Sequence, residues 1–200
     1  MATEKWPSKD EYVRIRETVA QTEEGRELIK WAETIERPKD ADDLALRLAG
    51  TVITSGFGSH SRVYERVAEA FRAGTPIYQA FPNKKKARAI ERIRSDRDVL
   101  FERFKRVHTE RQASAWCDGI PYVQGPAIRY QAMRDLGAAD VAKPDRHMLR
   151  IAERACESVA KLCARLAKLT GDRIGTVDAV LWYAASVGII EGISRRPRCR

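Results

Sequence analysis

Apolar residues recur every three or four positions along almost the whole chain, and this spacing constrains the fold more than any other feature. Leu44, Leu48 and Val52 form one such series, and Val63 and Val67 belong to another. A helix places residues with this spacing on one face, whereas a half-buried strand requires apolar and polar residues to alternate. No segment shows that alternation. The sequence therefore predicts an all-α protein.

Local signals predict where several helices begin and end. Ser8 and Glu11 have the spacing of a capping box, in which each side chain binds the other residue's backbone N–H group. Gly137 follows the predicted helix 126–136 at the position where a left-handed residue commonly ends a helix. We also predict two long helices, over residues 96–111 and 146–169.

Length and hydropathy indicate the general class of protein. The 200 residues are enough for a single domain, 1–200, made of two packed helical lobes. The sequence contains no run of about 18 apolar residues and no apolar signal-peptide core near its start. We expect a cytoplasmic monomer with no membrane partner.

The charge balance favours a polyanionic partner. Lysine and arginine number 37 against 28 aspartates and glutamates, which gives a net charge of +9. A surplus of this size favours nucleic acid or an anionic membrane surface, although a basic surface without a partner remains open. The densest basic run is either a DNA contact or a solvated helix face. It consists of Lys84, Lys85, Lys86, Arg88, Arg92 and Arg94.

The cysteines do not have the spacing of a metal site. Cys117, Cys156, Cys163 and Cys199 include no C-x-x-C pair, which argues against a zinc ribbon and against an iron–sulfur cluster. We expect no metal and no cofactor. Cys156 and Cys163 are seven residues apart, so we expect both on one helix face in the core.

Residues 119–150 are the most informative stretch for function. A short loop ends at Gly125, and Pro126 occupies a favoured first helical position. Exposed backbone N–H groups at such a helix start can hold a phosphate. After Gly137 and a connector, a new helix begins beside Asp145, where the helix dipole favours a carboxylate.

This arrangement resembles the helix-hairpin-helix DNA glycosylase superfamily of base-excision repair. Residues 133–137 and 141–150 look most like the branch that includes the archaeal oxidised-guanine glycosylases, and 177–183 is similar to that branch's last helix. The superfamily's signature of aspartate, any residue, histidine falls on Asp145 and His147. The resemblance implies a two-lobed helical fold with the hairpin at about 113–136.

The resemblance also implies a function. A damaged or modified base would be flipped out of double-stranded DNA into a pocket between the lobes. Asp145 would stabilise the positive charge that develops on the sugar, and His147 would brace the start of its helix. The protein would then be nucleoid-associated.

The resemblance further assigns residues to the DNA and to the base pocket. The implied DNA-binding residues are Val123, Gln124, Gly125, Ala127, Lys143 and Arg146. The implied pocket or wedge residues are Phe57, Trp116, Tyr122 and His147. For the three aromatic residues, packing against the protein's own helices stays open as the alternative.

The sequence departs from the superfamily in two places. The first hairpin glycine is replaced by Val123. Bifunctional members carry a Schiff-base lysine 18 residues before the aspartate, but that position is Ala127 here, and no lysine lies between Gly125 and Gly137. Since an amine must attack the sugar for lyase chemistry, we expect a monofunctional glycosylase without efficient lyase activity.

Other interpretations stay open at this point. Asp145 alone is an ordinary N-cap residue, and it could combine capping with catalysis. The protein could also be a catalytically silent helix-hairpin-helix DNA-binding protein, because fold does not imply function. A helical protein-interaction domain with a basic surface is a further alternative, and it would show no salt-sensitive affinity for DNA.

Overall fold

The computed structural model describes residues 5–55 and 61–191, and these residues contain α-helices but no strand. The prediction of an all-α protein is confirmed. The helices are α1 (Lys9–Ala20), α2 (Glu23–Glu33), α3 (Ala41–Thr54), α4 (Ser61–Ala73), α5 (Ile77–Ala80), α6 (Lys84–Ser95), α7 (Arg97–Phe104), α8 (Glu110–Asp118), α9 (Pro126–Asp135), α10 (Arg146–Arg154), α11 (Val159–Thr170) and α12 (Ile174–Ser186). None of these helices is both long enough and apolar enough to cross a membrane.

The chain divides into two compact units. One, here called the terminal unit, combines Met1–Ile35 with Asp140–Arg200. The other, here called the central unit, is the continuous segment Glu36–Ala139. Each unit has its own helices and its own buried residues, so each is described separately.

Helix α12 forms the centre of the terminal unit. It packs against α1, α2, α10 and α11. Its sequence is apolar on nearly all sides, and Val177, Val180, Leu181 and Ala184 are fully buried. A helix without a polar face has to be covered on every side, which accounts for its central position.

Helix α3 has the same role in the central unit. It packs against α4, α6, α7 and α9, and Leu44, Leu48 and Val52 on it are fully buried. These are the residues whose spacing predicted the helix. Helices α6 and α9 both pack against α3. The start of α6 and the hairpin of α8 and α9, which carry candidate functional residues, are therefore supported by the same helix.

Three predicted helix ends are confirmed. Ser8 and Glu11 form the capping box at the start of α1. Pro126 is the first residue of α9, with Gly125 as the N-cap. Gly137 has a φ of +58°, and its N–H group donates to the carbonyl of Arg134, 2.8 Å away, as in a Schellman motif.

Both long helices predicted from the sequence are wrong, because capping residues interrupt them. The predicted helix 96–111 is divided after Phe104, and Thr109 forms a capping box that starts α8. The predicted helix 146–169 is divided at Cys156, which has a φ of +52°, and Ser158 caps the start of α11. Serine and threonine can offer the backbone an alternative to a continuous helix.

The break at Cys156 also corrects the prediction for the cysteines. Cys156 is exposed, since it lies in the turn between α10 and α11. Cys163, on α11, is buried as predicted, and Cys117 on α8 is buried as well. Cys117 and Cys156 are free thiols.

The left-handed glycine at the end of α9 gives a test of the fold. We expect Gly137→Ala to destabilise the protein by about 2–3 kcal/mol, because a Cβ there is strained at positive φ and also meets a backbone carbonyl. The added Cβ would lie 3.1 Å from the carbonyl carbon and oxygen of Glu36. Chemical denaturation followed by circular dichroism measures the loss.

Gly171→Ala is the matched control. Gly171 also has a positive φ, +82°, but nothing lies within 4 Å of the position of its Cβ. This variant should therefore show only the backbone cost, about 1–2 kcal/mol. Equal losses in the two variants would show that the contact with Glu36 contributes nothing.

Candidate nucleic-acid interface and candidate catalytic carboxylate

Two packed helices of the central unit lie in the segment predicted to form the hairpin. Helices α8 and α9 pack on one another and are joined by a loop over residues 119–125, and these three elements are here called the hairpin. Arg129 on α9 closes the hairpin, because its guanidinium donates to the carboxylate of Asp118, to the hydroxyl of Ser114 at 3.3 Å and to the carbonyl of Gln124 at 3.0 Å. One side chain therefore ties both helices and the loop together.

Two buried apolar side chains and a backbone hydrogen bond hold the loop of the hairpin in place. Ile120 and Val123 are fully buried, and the N–H group of Val123 donates to the carbonyl of Ile120 at 3.2 Å. The side chain of Val123 is therefore not exposed to a phosphate, and its N–H group is already paired with a carbonyl. The burial of this side chain does not favour a contact of Val123 with DNA, and the assignment of Val123 as a DNA-binding residue stays a prediction.

The start of α9 has no capping side chain. Gly125 is the N-cap and is exposed, and the following Pro126 has no N–H group. The N–H groups of Ala127 and Ile128 in this first turn donate no hydrogen bond to a capping side chain. Helix N-termini with free donors are favourable places for an anion. Gln124 is exposed beside them, and its side-chain amide donates to the carbonyl of Ile120 at 2.6 Å.

The basic run 84–94 is divided between two roles. Lys86 is fully buried, and its ammonium donates to the carbonyls of Ile53, at 2.9 Å, and Ser55, at 2.6 Å. These carbonyls end α3, so Lys86 joins the start of α6 to the end of α3. Burial lowers the pKa of Lys86. The sequence does contain a signal for this role, because Lys86 is in register with the buried Ile90 and Ile93.

The other basic residues of α6 differ in their surroundings. Arg94 donates to the carbonyls of Ala70 and Thr75 and pairs with Glu91, so it too is structural. Arg92 is exposed and pairs with Asp96. Lys84, Lys85 and Arg88 are exposed.

Tyr122 connects the hairpin loop to the start of α6. The ammonium groups of Lys85 and Lys86 lie 5.7 Å and 5.8 Å from the centre of its ring, within the range of cation–π contacts. Tyr122 has a φ of +72°, which is rare for a residue other than glycine. Sequence reasoning missed this neighbourhood, because more than thirty residues separate its two parts.

The remaining predicted pocket residues of the central unit are Trp116 and Phe57. The indole of Trp116 packs on Phe104 with ring centres 5.0 Å apart. Its ring N–H group is buried and has no hydrogen-bond partner among the described residues. Phe57, the predicted wedge, lies outside the described residues.

In the terminal unit, two carboxylates hold the connector that leads to Asp145. Asp140 accepts hydrogen bonds from the N–H groups of Ile174, at 3.0 Å, and Gly175, at 2.8 Å, and so caps α12. Asp178, buried within α12, accepts the N–H group of Lys143 at 3.1 Å. Sequence reasoning missed both, although a lone carboxylate within an apolar helix indicates a bound partner.

Asp145 is the N-cap of α10. Its Oδ1 accepts hydrogen bonds from the N–H groups of His147, at 2.9 Å, and Met148, at 3.1 Å. Its Oδ2 lies 3.3 Å from the ammonium of Lys143, and 15% of the side chain is exposed. These donors stabilise the negative charge of the carboxylate while one oxygen stays free of backbone hydrogen bonds.

His147 and Arg146 follow Asp145 on the first turn of α10. His147 is half-buried, and its Nδ1 has no hydrogen-bond partner among the described residues. Arg146 is exposed, and its Nε donates to Nε2 of His147 at 3.4 Å. Burial lowers the pKa of His147, and the charge of Asp145 partly opposes this effect. The imidazole is therefore neutral at pH 7.

Each unit thus carries its own group of predicted site residues. The central unit holds Gln124, Gly125, Ala127, Trp116 and Tyr122, and the terminal unit holds Lys143, Asp145, Arg146 and His147. Across residues 5–55 and 61–191, no group of three histidine, cysteine or acidic residues is placed to hold a metal ion.

Comparison with known proteins gives no match. The chain matches no protein-family model, no curated protein and no solved structure. A functional interpretation therefore depends on the residues and contacts described above.

The pKa of His147 provides a test of its contact with Asp145. We expect the pKa to lie below the ordinary value of 6.5, because burial disfavours the charged ring. Asp145→Asn should lower it further, since the substitution removes the negative charge that raises it. Titration of the imidazole C–H resonances by NMR measures both values.

The same shift predicts a pH dependence of stability. Because the folded pKa of His147 is lower than the unfolded one, its contribution to stability is present above pH 6.5 and is lost as the pH falls through the folded pKa. His147→Gln should lack this component in urea denaturation between pH 5.5 and 7.5. A pKa at or above 6.5, or an upward shift in Asp145→Asn, would contradict the proposed surroundings.

Proposed function

We propose that the protein is a monofunctional DNA glycosylase with a two-lobed helix-hairpin-helix fold. It would hydrolyse the N-glycosidic bond of a damaged or modified base in double-stranded DNA. The observation that carries this proposal is the state of Asp145. Its carboxylate is fixed by two backbone N–H groups, is paired with Lys143 and is still partly exposed.

The hairpin supports DNA as the partner. The uncapped start of α9 offers the N–H groups of Ala127 and Ile128 to a phosphate. Gly125 has no side chain, so a phosphate can approach the backbone closely. Exposed Gln124 lies at the same end of the helix. Such contacts fix the position of a protein on DNA without reading its sequence.

In the proposed reaction, the target nucleotide is extruded and the bond between its base and C1′ breaks. The base leaves with the bonding electron pair, and positive charge develops on the sugar. The negative charge of Asp145 stabilises this charge. Its Oδ2, which accepts no backbone N–H group, also orients the attacking water. The water oxygen forms a bond to C1′, and the base takes up the released proton.

One feature supports hydrolysis over lyase chemistry. The position of the Schiff-base lysine in bifunctional enzymes is occupied by Ala127, and no lysine lies between Gly125 and Gly137 to attack the sugar.

A second candidate function is a catalytically silent DNA-binding protein. One observation favours it: the contacts of Asp145 with His147, Met148 and Lys143 also form an ordinary helix cap and ion pair. The two candidates differ in whether the charge of Asp145 is needed for excision or only for the fold.

Substitution of Asp145 by asparagine and by alanine separates these roles. Asparagine caps a helix about as well as aspartate, so Asp145→Asn should keep the fold while excision falls by at least about 100-fold. Asp145→Ala should lose excision and about 1 kcal/mol of stability. The assay uses a panel of duplexes with alkylated, oxidised, deaminated and other modified bases. Alkali reveals abasic sites, and urea denaturation gives stability.

The outcomes discriminate between the candidates. Strand cleavage without alkali would contradict the monofunctional mechanism, and so would trapping of a covalent complex by borohydride. Excision that persists in Asp145→Asn would remove Asp145 from its catalytic role. DNA binding without excision of any lesion would favour the silent DNA-binding protein.

A further inference from the structure

The first turn of α6 carries positively charged side chains, although the N-terminus of a helix is the end where positive charge is least favourable. Residues 84, 85 and 86 are all lysines, and the first turn contains no acidic residue. The N-terminal end of a helix has a partial positive charge, so cations are unfavourable there and anions are favourable. The lysines at the start of α6 therefore need an explanation other than the stability of the helix.

Lys86 has such an explanation, because it is buried and binds the carbonyls that end α3. Lys84, Lys85 and Arg88 are exposed, and no carboxylate of the described residues lies within ion-pair distance of them. Lys85 has a cation–π contact with Tyr122, which leaves its positive charge in place. In contrast, Arg92 and Arg94 at the other end of α6 are paired with Asp96 and Glu91.

The three exposed cations share one side of the helix. Lys84 and Arg88 are four residues apart and so lie above one another on the same face, with Lys85 beside them. They are spread along one turn and do not converge on a single point. A row of phosphates along a nucleic-acid strand fits this arrangement better than one isolated anion does.

The position of this row is fixed relative to the hairpin. The ammonium of Lys85 lies against the ring of Tyr122, and Lys86 holds the start of α6 to α3. Tyr122 belongs to the loop that leads to Gly125 and the uncapped start of α9. The start of α6 and the start of α9, which both favour anions, therefore lie near one another in the central unit.

We propose that Lys84, Lys85 and Arg88 form a second phosphate-binding site, which holds the backbone of duplex DNA beside the hairpin whether or not a lesion is present. The identity of the partner as DNA rests on the proposed function, but the site does not depend on catalysis by Asp145. With this site, the central unit would contact DNA at the start of α6 as well as at the start of α9.

The test is the salt dependence of binding to undamaged duplex DNA. The triple variant Lys84→Gln, Lys85→Gln, Arg88→Gln should have a plot of log K against log salt that is less steep by about 0.9 for each lost phosphate contact. Its melting temperature should be unchanged or raised, because the substitutions remove cations from a helix N-terminus. Fluorescence anisotropy and differential scanning calorimetry measure the two quantities.

The matched control removes three positive charges elsewhere. Lys9, Lys161 and Lys168 are exposed lysines on α1 and α11, and their replacement by glutamine lowers the net charge by the same amount. This control variant should keep the wild-type slope. An equal loss of slope in both variants would mean that only net charge matters, and it would overturn the site.

Other results would overturn the site as well. A lower melting temperature with an unchanged slope would assign the three residues to the fold. Vesicles of phosphatidylserine and phosphatidylcholine provide a further arm: loss of vesicle binding with an unchanged DNA slope would identify a membrane surface instead.

Failure of the site is distinguishable from failure of the proposed function. A reduced slope in a protein that excises no base supports the phosphate site without the enzyme. An unchanged slope together with excision that depends on Asp145 overturns the site alone.

Discussion

Carboxylates that accept backbone N–H groups fix the connector of the terminal unit, and the position of Asp145 depends on them. Asp140 caps α12, Asp178 holds the N–H group of Lys143, and Asp145 caps α10. A helix start leaves several N–H groups without partners, and a buried, unpaired one is costly. These three carboxylates therefore stabilise the unit, and their hydrogen bonds orient the side chain that is proposed to act on the sugar.

Two helix starts of the central unit differ from the carboxylate-capped starts of α10 and α12. The start of α9 has no capping side chain, and the start of α6, which the neutral Asn83 caps, has lysines in its first turn. No carboxylate of the described residues lies within ion-pair distance of Lys84 or Lys85. These two starts support an anionic partner for the central unit, and a surplus of nine positive charges over the whole chain agrees with it.

Capping and the proposed catalysis by Asp145 are compatible because they would use different oxygen atoms. Oδ1 accepts the two N–H groups of α10, whereas Oδ2 lies 3.3 Å from the ammonium of Lys143. Fixed donors around a carboxylate keep its charge in place without reorganisation during a reaction, which is how preorganised electrostatics lower a barrier. His147, neutral at pH 7, adds no competing positive charge beside it.

The sequence by itself determined the helical class and the helix ends at Ser8, Pro126 and Gly137, because apolar spacing and capping are local properties of a few adjacent residues. Tertiary structure decided which carbonyls Lys86 binds, where Val123 points, and how Asp178 holds the connector. Those outcomes depend on partners that are distant in sequence. Only the folded path of the backbone brings such residues into contact, and the local spacing of residues does not specify them.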